Sequence, residues 1–378
     1  ETAGEDEHIR RAKALAKVLE NMKIGIDPDE LIVGRATGKV RGGLLNIESN
    51  GIAWMLDELD TISTREWDRY APLSEEDKKM AIELADYWKD KSLLSKYNKQ
   101  LSPDALYREF IVHGCGAYCD AGYHMGHLMV DFEKVLRIGL KGVLAELDEK
   151  IAVLNDANPA DQLKILNYES WKIYMKAIIT FANRYADLAE KMANESDDPE
   201  FKKEKLEIAR ICRKVPENPA DSFFEAVQST WFTYCGVMID QASNGVSFGR
   251  IDQYWYPFYK KDIESGAMTR EQAVEFLACF NIKCNGVTLP LSNFVSAAFG
   301  GHCLACDFTI GGIDENGNDA VNELTYVILD AQLESRTRAD DLVIRVHFVN
   351  PHRYVRKALD VSIALSGKIK WVGDESTI

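Results

Sequence analysis

The most restrictive feature of the chain is one ordered stretch in its second half, at residues 243–285. It reads SNGVSFGRIDQYWYPFYKKDI followed by ESGAMTREQAVEFLACFNIKCN, with four aromatic residues close around one proline. Gly249 permits a tight turn or the close approach of another backbone segment, and the neighbouring Arg250 and Asp252 predict a bidentate ion pair. Thr269, followed by a glutamine three residues later, is typical of a capping box and predicts a helix that begins there. A string of this order is too unusual to be explained by core packing of its aromatic residues alone.

Four more segments are informative because of the order in which they occur along the chain. They are RGGLLNIESN (residues 41–50), GYHMGHLMVDFEKVLRIGLKGV (122–143), PADSFFEAVQSTWF (219–232) and FTIGGIDENGNDAVNELTYVILDA (308–331). Together with the stretch above, this series resembles the pyruvate formate-lyase-like family of glycyl radical enzymes. No single string decides the resemblance, but the co-linear series covers most of the chain.

Hydrophobic periodicity by itself predicts an α/β fold with a helical front half. Helices are predicted at residues 6–22, 53–60, 75–91, 103–112, 131–153, 161–193, 199–213 and 219–238. After residue 240, strands predicted near 292–297, 305–312, 341–348 and 368–372 alternate with helices at 269–284, 319–335 and 351–366. Alternation of this kind indicates parallel βα units.

The resemblance implies a more specific architecture. Its fold is a ten-stranded β/α barrel built in two halves, of which this chain would hold the beginning. Residues 1–378 would then form a single, truncated pyruvate formate-lyase-type domain. It would have a mostly helical layer at 1–215 and the first part of the barrel at 216–378.

The chemistry that the resemblance implies depends on two groups. A backbone glycyl radical near the C-terminus turns a cysteine on a loop inside the barrel into a thiyl radical, and the thiyl takes a hydrogen atom from a small substrate, so that a C–C or C–X bond breaks. The Arg-Val-x-Gly-Tyr-like and Gly-Cys-x-Glu-like motifs that carry these groups do not occur in the 378 residues. We therefore expect the chain to be the N-terminal part of a longer enzyme, with no catalytic residue and no bound cofactor of its own.

The same resemblance implies partners for the complete protein. A radical S-adenosylmethionine activase installs the glycyl radical, and the full-length enzyme is expected to be a cytoplasmic homodimer. Other partners are not expected. The net charge of −15 argues against a nucleic-acid surface, which needs a clustered basic face. No run of eighteen apolar residues occurs, so a membrane-spanning helix is not expected either.

Three polar residues match positions where the resemblance implies a wall of the substrate pocket. His127 precedes the helix that starts near residue 131, where related dehydratases place a histidine on a substrate hydroxyl or carboxylate. Asn244 stands where related dehydratases carry an acidic residue, and the loss of that charge argues against a cationic substrate. Ser247 is a small hydroxyl near the same turn. The alternatives, a helix-capping histidine and ordinary turn chemistry at the serine, remain open.

A second segment, GGHCLAC at residues 300–306, leads into a predicted strand where the family lines its pocket. Its small residues would leave room for a bulky substrate, and Phe299 and His302 are expected to contact that substrate. Glycine pairs are also ordinary turn formers, and that interpretation stays open. Together with Asn244, these small residues favour an anionic or aromatic substrate over a polyol or choline.

The cysteines do not indicate a metal centre. Eight occur, without the spacing of a secreted disulfide framework, and reduced buried thiols are the simplest interpretation. Cys115, Cys119, His124 and His127 offer zinc ligand types, but the spacing between Cys119 and His124 is short for two arms around one ion. We predict no metal site.

Two classes of function stay open on the sequence alone. One is a catalytic glycyl radical enzyme, whether lyase, dehydratase, decarboxylase or acyltransferase. The other is a non-catalytic fragment that binds a partner carrying the missing half. A Cys/His metalloprotein is a third interpretation, which depends on the group around residue 115. The remainder of the open reading frame distinguishes the first two, because only the enzyme needs the two absent motifs.

Overall fold

The structure is a computed structural model, and it describes residues 2–45, 47–66, 69–104, 128–242, 245–298, 306–338 and 340–377. The first half of the chain is helical. Its helices are α1 (Glu7–Asn21), α2 (Ile47–Asn50), α3 (Ala53–Leu56), α4 (Glu75–Trp88), α5 (Leu93–Gln100), α6 (Phe132–Ala152), α7 (Pro159–Asn194) and α8 (Pro199–Lys214). The predicted helical front half is confirmed for the described residues, while most of the helix predicted at 103–112 lies outside them.

Local signals explain where the two long helices of this layer begin. The Asn158 side chain accepts a hydrogen bond from the backbone of Ala160 in front of α7, and Pro159 follows as the first helical residue. Asp198 and Pro199 repeat the arrangement in front of α8. Proline suits this position because its missing N–H would have no partner in the helix. A stripe of small residues then lets α7 pack closely against its neighbours: it is formed by Ala182, Ala186, Ala189 and Ala193, all buried.

Strands and helices alternate in the second half of the chain. The elements are α9 (Phe223–Gln241), β1 (Val246–Arg250), α10 (Ile251–Tyr254), α11 (Tyr256–Glu264), α12 (Arg270–Gly286), α13 (Asn293–Ala298), β2 (Cys306–Gly311), α14 (Glu323–Ser335), β3 (Asp340–Val346), α15 (His352–Ala364), β4 (Lys370–Gly373) and α16 (Asp374–Thr377). The predicted capping box forms in front of α12, where Thr269 and Gln272 bond each other's backbone N–H groups.

The four strands form one parallel sheet in the order β1-β2-β3-β4. Each strand therefore pairs with the next one along the chain, and helices lie in the connections. The predicted α/β class with parallel βα units is confirmed. A strand order that follows the chain without reversal is the topology of a barrel wall, whereas a doubly wound sheet reverses its order at a switch point.

Two details of the strand prediction are wrong. A strand was predicted near residues 292–297, but Asn293–Ala298 form the short helix α13, where the Ser296 N–H donates to the backbone oxygen of Ser292, in front of the helix, at 2.8 Å. Strand β1 was not predicted at all, because a glycine followed by an arginine was interpreted as a turn. The glycine belongs instead to an irregularity inside the strand.

That irregularity is a β-bulge at Gly249. Ser247 pairs with Asp307 and Arg250 pairs with Thr309, so β1 contains one residue more than β2 between these pairs. Gly249 has a φ of +69°, a value that glycine adopts without strain. Side chains alternate between the two faces of a strand, so the extra residue returns Arg250 to the face that carries Ser247.

The opposite face of the sheet packs against the helices. It presents five fully buried side chains: Phe248, Phe308, Ile310, Leu342 and Ile344. The ring of Phe248 lies 4.4 Å from the ring of Tyr234 on α9 and 5.1 Å from that of Phe280 on α12, measured between centroids. Burial of several large apolar side chains of this kind, at about 1.5–3 kcal/mol each, is the main stabilisation of the helix–sheet interface.

Candidate functional site

The face of the sheet that points away from the helices is polar. In register across the strands, Ser247 lies beside Asp307, and Asp307 beside Asp341. The next row joins Thr309 to Val343 and Val343 to Lys370. Parallel sheets are normally apolar on both faces because both are packed against other elements. A face lined with hydroxyl, carboxylate and ammonium groups is instead typical of a wall that encloses a polar cavity.

Ser247 lies near the N-terminal end of this polar face. Its backbone N–H donates to the backbone oxygen of Leu128 at 2.8 Å, and Met129 forms a parallel bridge with it. Its hydroxyl accepts a hydrogen bond from the Gly249 N–H at 3.0 Å and donates to the backbone oxygen of Asp307 at 3.5 Å. The segment around Met129 therefore covers the outer edge of β1 beside Ser247, whose hydroxyl lies on the polar face.

The other predicted pocket residues, His127, Asn244, Phe299 and His302, lie outside the described residues. The described residues that border these four positions are located in the structure. Leu128 bonds to Ser247, and Val246 is in register with Cys306. The ends of three separate chain segments, at residues 128, 245 and 306, therefore meet at the N-terminal end of β1 and β2.

An ion pair on the polar face was not predicted from the sequence. The carboxylate of Asp341 is in contact with the ammonium of Lys370 on the neighbouring strand. Asp341 is 5% exposed, which places its charge almost wholly inside the protein. A buried carboxylate normally keeps its charge only with such a partner. The sequence signal for this pair is an aspartate at the start of the apolar run LVIRV. The partner is not evident from the sequence, because it lies 29 residues further along the chain.

The C-terminal end of the sheet is held by Arg250 and Asp252. Arg250 donates to the backbone oxygens of Gly311 at 2.8 Å and Ile313 at 2.9 Å. Asp252 is fully buried and accepts from the Gly311 N–H at 2.8 Å and the Thr325 hydroxyl at 2.7 Å. The predicted ion pair between these two described side chains is wrong, because each binds the backbone of Gly311, at the end of β2, instead.

Two more charged residues complete this arrangement, which we call the Gly311 clamp (Arg250, Asp252, Arg345 and Asp374 around residues 311–313). Asp374 accepts from the Ile313 N–H at 2.9 Å and from Arg345 Nε at 2.7 Å. Burial raises the pKa of the Asp252 carboxyl, although its hydrogen bonds and Arg250 favour the charged form. Burial also lowers the pKa of Arg250. The clamp thus joins the ends of β1, β2, β3 and β4 through buried polar contacts.

Metal binding finds no support in the part of the chain that the structure describes. No group of three or more His, Cys, Asp or Glu side chains there is arranged to hold an ion. The zinc ligand types considered above, Cys115, Cys119, His124 and His127, lie outside the described residues. Among the described helices, none is both long enough and apolar enough to cross a membrane.

Fold and site together define the class: a parallel β/α barrel wall with a polar inner face. The chain belongs to the pyruvate formate lyase-like family, whose model matches residues 1–378. It is 35% identical to the isethionate sulfite-lyase of Oleidesulfovibrio alaskensis, in a match that covers 100% of this chain and 47% of that protein.

Solved structures agree with this assignment. A structure described as 1,2-propanediol dehydration in Roseburia inulinivorans matches with a TM-score of 0.92 and 33% identity, over 99% of this chain and 47% of that one. A glycyl radical enzyme from Archaeoglobus fulgidus matches with a TM-score of 0.89 and 34% identity, over 99% and 48%. The chain thus spans about half the length of the relatives that it matches.

Proposed function

We propose that the chain forms the first half of the barrel of a glycyl radical enzyme that breaks a C–C or C–X bond of a small substrate. The observation that carries the proposal is the polar inner face of a parallel sheet, in a chain that belongs to this family. A sulfite-lyase and a diol dehydration, the activities named for two relatives, are both eliminations from a small molecule. We therefore favour cleavage of a C–S or C–O bond.

In this proposal the substrate lies near the N-terminal ends of β1 and β2. Ser247 lines that chamber together with His127, Asn244, Phe299 and His302. Support comes from the meeting of residues 128, 245 and 306 at this place. The Ser247 hydroxyl is oriented by the Gly249 N–H, while its bond to the Asp307 oxygen is long, at 3.5 Å. A substrate oxygen can replace so weak a partner at little cost.

Hydrogen-atom abstraction would be supplied by the glycyl radical, through a thiol that we place in the other half of the protein. The described cysteines do not suit that role. Cys306 on β2 points to the helix side, where its Sγ lies 2.9 Å from the Tyr234 hydroxyl. Cys212, Cys235 and Cys284 are buried in the core, and Cys279 lies on α12, which is also on the helix side of the sheet. The task of this chain is therefore to bind the substrate, orient it and keep water away.

The proposal extends to the assembly of the complete enzyme. We place residues 1–378 in one domain and the whole protein in the cytoplasm, as a homodimer activated by a radical S-adenosylmethionine enzyme. Radical yield after incubation with the activase, together with the mass of the complete protein in solution, tests both partners. A complete protein that is monomeric, or that gains no radical, contradicts this part of the proposal.

One experiment tests the central claim. The complete reading frame is determined, and the enzyme is activated without oxygen and offered a panel of small diols, hydroxysulfonates and carboxylates. We expect turnover of one class, and a loss of more than tenfold in His127→Ala, which corresponds to about 1.4 kcal/mol or more of transition-state stabilisation. The glycyl radical signal should be unchanged in that variant. A reading frame without the cysteine and glycine motifs would instead leave a non-catalytic fragment.

A further inference from the structure

A cavity of about 240 Å³ lies on the helix side of the sheet, between residues 27–44 and the C-terminal half of α12. Its apolar wall is formed by Val40, Leu44, Trp231, Ile282 and Val287. The Trp231 indole is fixed in this wall, because its N–H donates to the backbone oxygen of Gly34 at 3.0 Å. A rigid, mainly apolar hollow of this size suits the body of a small organic molecule.

Two enclosed cations line the same cavity and share one carboxylate. The Lys283 ammonium contacts one oxygen of Glu30, and Arg35 donates to the other at 2.8 Å. All three side chains are enclosed, with exposed fractions of 11% for Lys283, 12% for Glu30 and 10% for Arg35. Arg35 Nε is buried without a hydrogen-bond partner.

The charges of this group do not balance. Asp27 also reaches Arg35, at 2.9 Å, but its side chain is 59% exposed, so solvent screens that pair. Asp29 and Lys39 also line the cavity but are exposed, so among the enclosed side chains two positive charges face one negative charge. Burial lowers the pKa of Lys283, and the ion pair with Glu30 offsets only part of this effect. An excess charge in an enclosed site is costly, and a bound ion of opposite sign removes the cost.

We infer that this cavity binds a small organic anion, with its carboxylate or sulfonate group beside Lys283 and Arg35 and its apolar body against Trp231 and Ile282. The anion would supply the second negative charge that the enclosed group lacks. The aromatic and aliphatic walls would select an organic acid over an inorganic ion, since only the organic acid buries apolar surface there.

Calorimetric titration of the complete protein with benzoate, and with benzamide as its neutral counterpart of the same shape, tests the inference. We expect benzoate to bind, and benzamide to bind at least tenfold more weakly. Lys283→Met should weaken benzoate binding by at least tenfold, since it leaves Arg35 and Glu30 as a balanced pair. Lys260→Met is the matched control, because Lys260 is half-exposed on α11, outside the cavity lining, and pairs with Glu264 along its own helix.

Melting temperatures provide a second reading of the same charge imbalance. Without ligand, Lys283→Met should melt at a temperature equal to or above that of the unsubstituted chain, because it removes the excess charge. Benzoate should raise the melting temperature of the unsubstituted chain and not that of this variant. Equal binding of benzoate and benzamide, no binding of benzoate, or equal losses in Lys283→Met and Lys260→Met would each overturn the inference. If Lys283→Met does not fold, Arg35→Gln must show the same loss.

Discussion

The two ends of the parallel sheet are held in different ways. At the C-terminal end, the Gly311 clamp joins all four strands through buried charged side chains. At the N-terminal end, Ser247 makes one strong backbone bond to Leu128, and its hydroxyl makes a long bond to Asp307. Ligands of open α/β sheets usually bind at the carboxyl ends of the strands. Here that end is filled by protein side chains, and polar groups that can exchange partners lie at the other end.

The largest effect should come from a side chain placed inside the clamp. An added Cβ at Gly311 would lie 2.0 Å from the Tyr354 hydroxyl, and the φ of Gly311 is +73°. Tyr354 cannot move away, since it is fully buried and bonds to the backbone oxygen of Arg345 at 3.0 Å. We expect Gly311→Ala to lower the free energy of unfolding by about 4 kcal/mol or to prevent folding.

Gly317→Ala is the control for that substitution. Gly317 has a φ of +80°, but nothing lies within 4 Å of its added Cβ. It should cost only the backbone strain, about 1–2 kcal/mol. Urea unfolding of both variants measures the difference. Equal losses would show that the clamp is not tightly packed.

Removal of the clamp carboxylate should have the next largest effect. Asp252→Ala leaves the Gly311 N–H and the Thr325 hydroxyl without their buried acceptor. We expect a loss of about 2–4 kcal/mol in the free energy of unfolding. A loss below 1 kcal/mol, measured in urea, would mean that water or another group replaces the carboxylate, and the end of the sheet would then be less rigid than the contacts indicate.

The same residue predicts a dependence on pH. Burial raises the pKa of Asp252, so the folded state holds its proton more firmly than the unfolded state does. The stability that Asp252 contributes is therefore fully present below the unfolded value of about 4 and falls as pH rises through the folded value. Relative to Asp252→Asn, which cannot titrate, the protein should lose stability with rising pH. A difference that does not change with pH would contradict the raised pKa.

A smaller loss is expected at the bulge between the two ends. Gly249 has a φ of +69°, and its added Cβ would lie 3.1 Å from the sulfur of Met129, whose flexible side chain can move. We expect Gly249→Ala to cost about 1–3 kcal/mol. Gly266→Ala has the same strain, with a φ of +72° and nothing within 4 Å. The excess of the first loss over the second, measured in urea, gives the cost of displacing Met129 from the bulge.

The features that could be predicted from the sequence are those that depend on residues close together along the chain. The helix after Thr269 follows from its capping box, and strands β2 and β3 follow from their apolar runs. Asp341, Lys370 and Asp374 were missed because their partners are set by the register of the sheet, which joins residues about 30 to 60 positions apart. The predicted pair of Arg250 and Asp252 failed for the same reason, since their common partner, Gly311, lies about 60 positions further along, at the end of β2.

The smallest effect on stability, and the sharpest test of the comparison, concerns Ser247. Ser247→Ala removes one accepted bond at 3.0 Å and one long donated bond, so it should cost about 1 kcal/mol or less. Ser265→Ala is a matched control, because the Ser265 hydroxyl likewise donates to a backbone oxygen, that of Asp262 at 3.2 Å, but it lies at the end of α11 and away from the sheet. Both variants should unfold at nearly the same urea concentration. In the complete, activated enzyme only Ser247→Ala should raise the KM for substrate, because the proposed substrate chamber includes the Ser247 hydroxyl and not that of Ser265. Equal KM values for the two variants would place the substrate elsewhere.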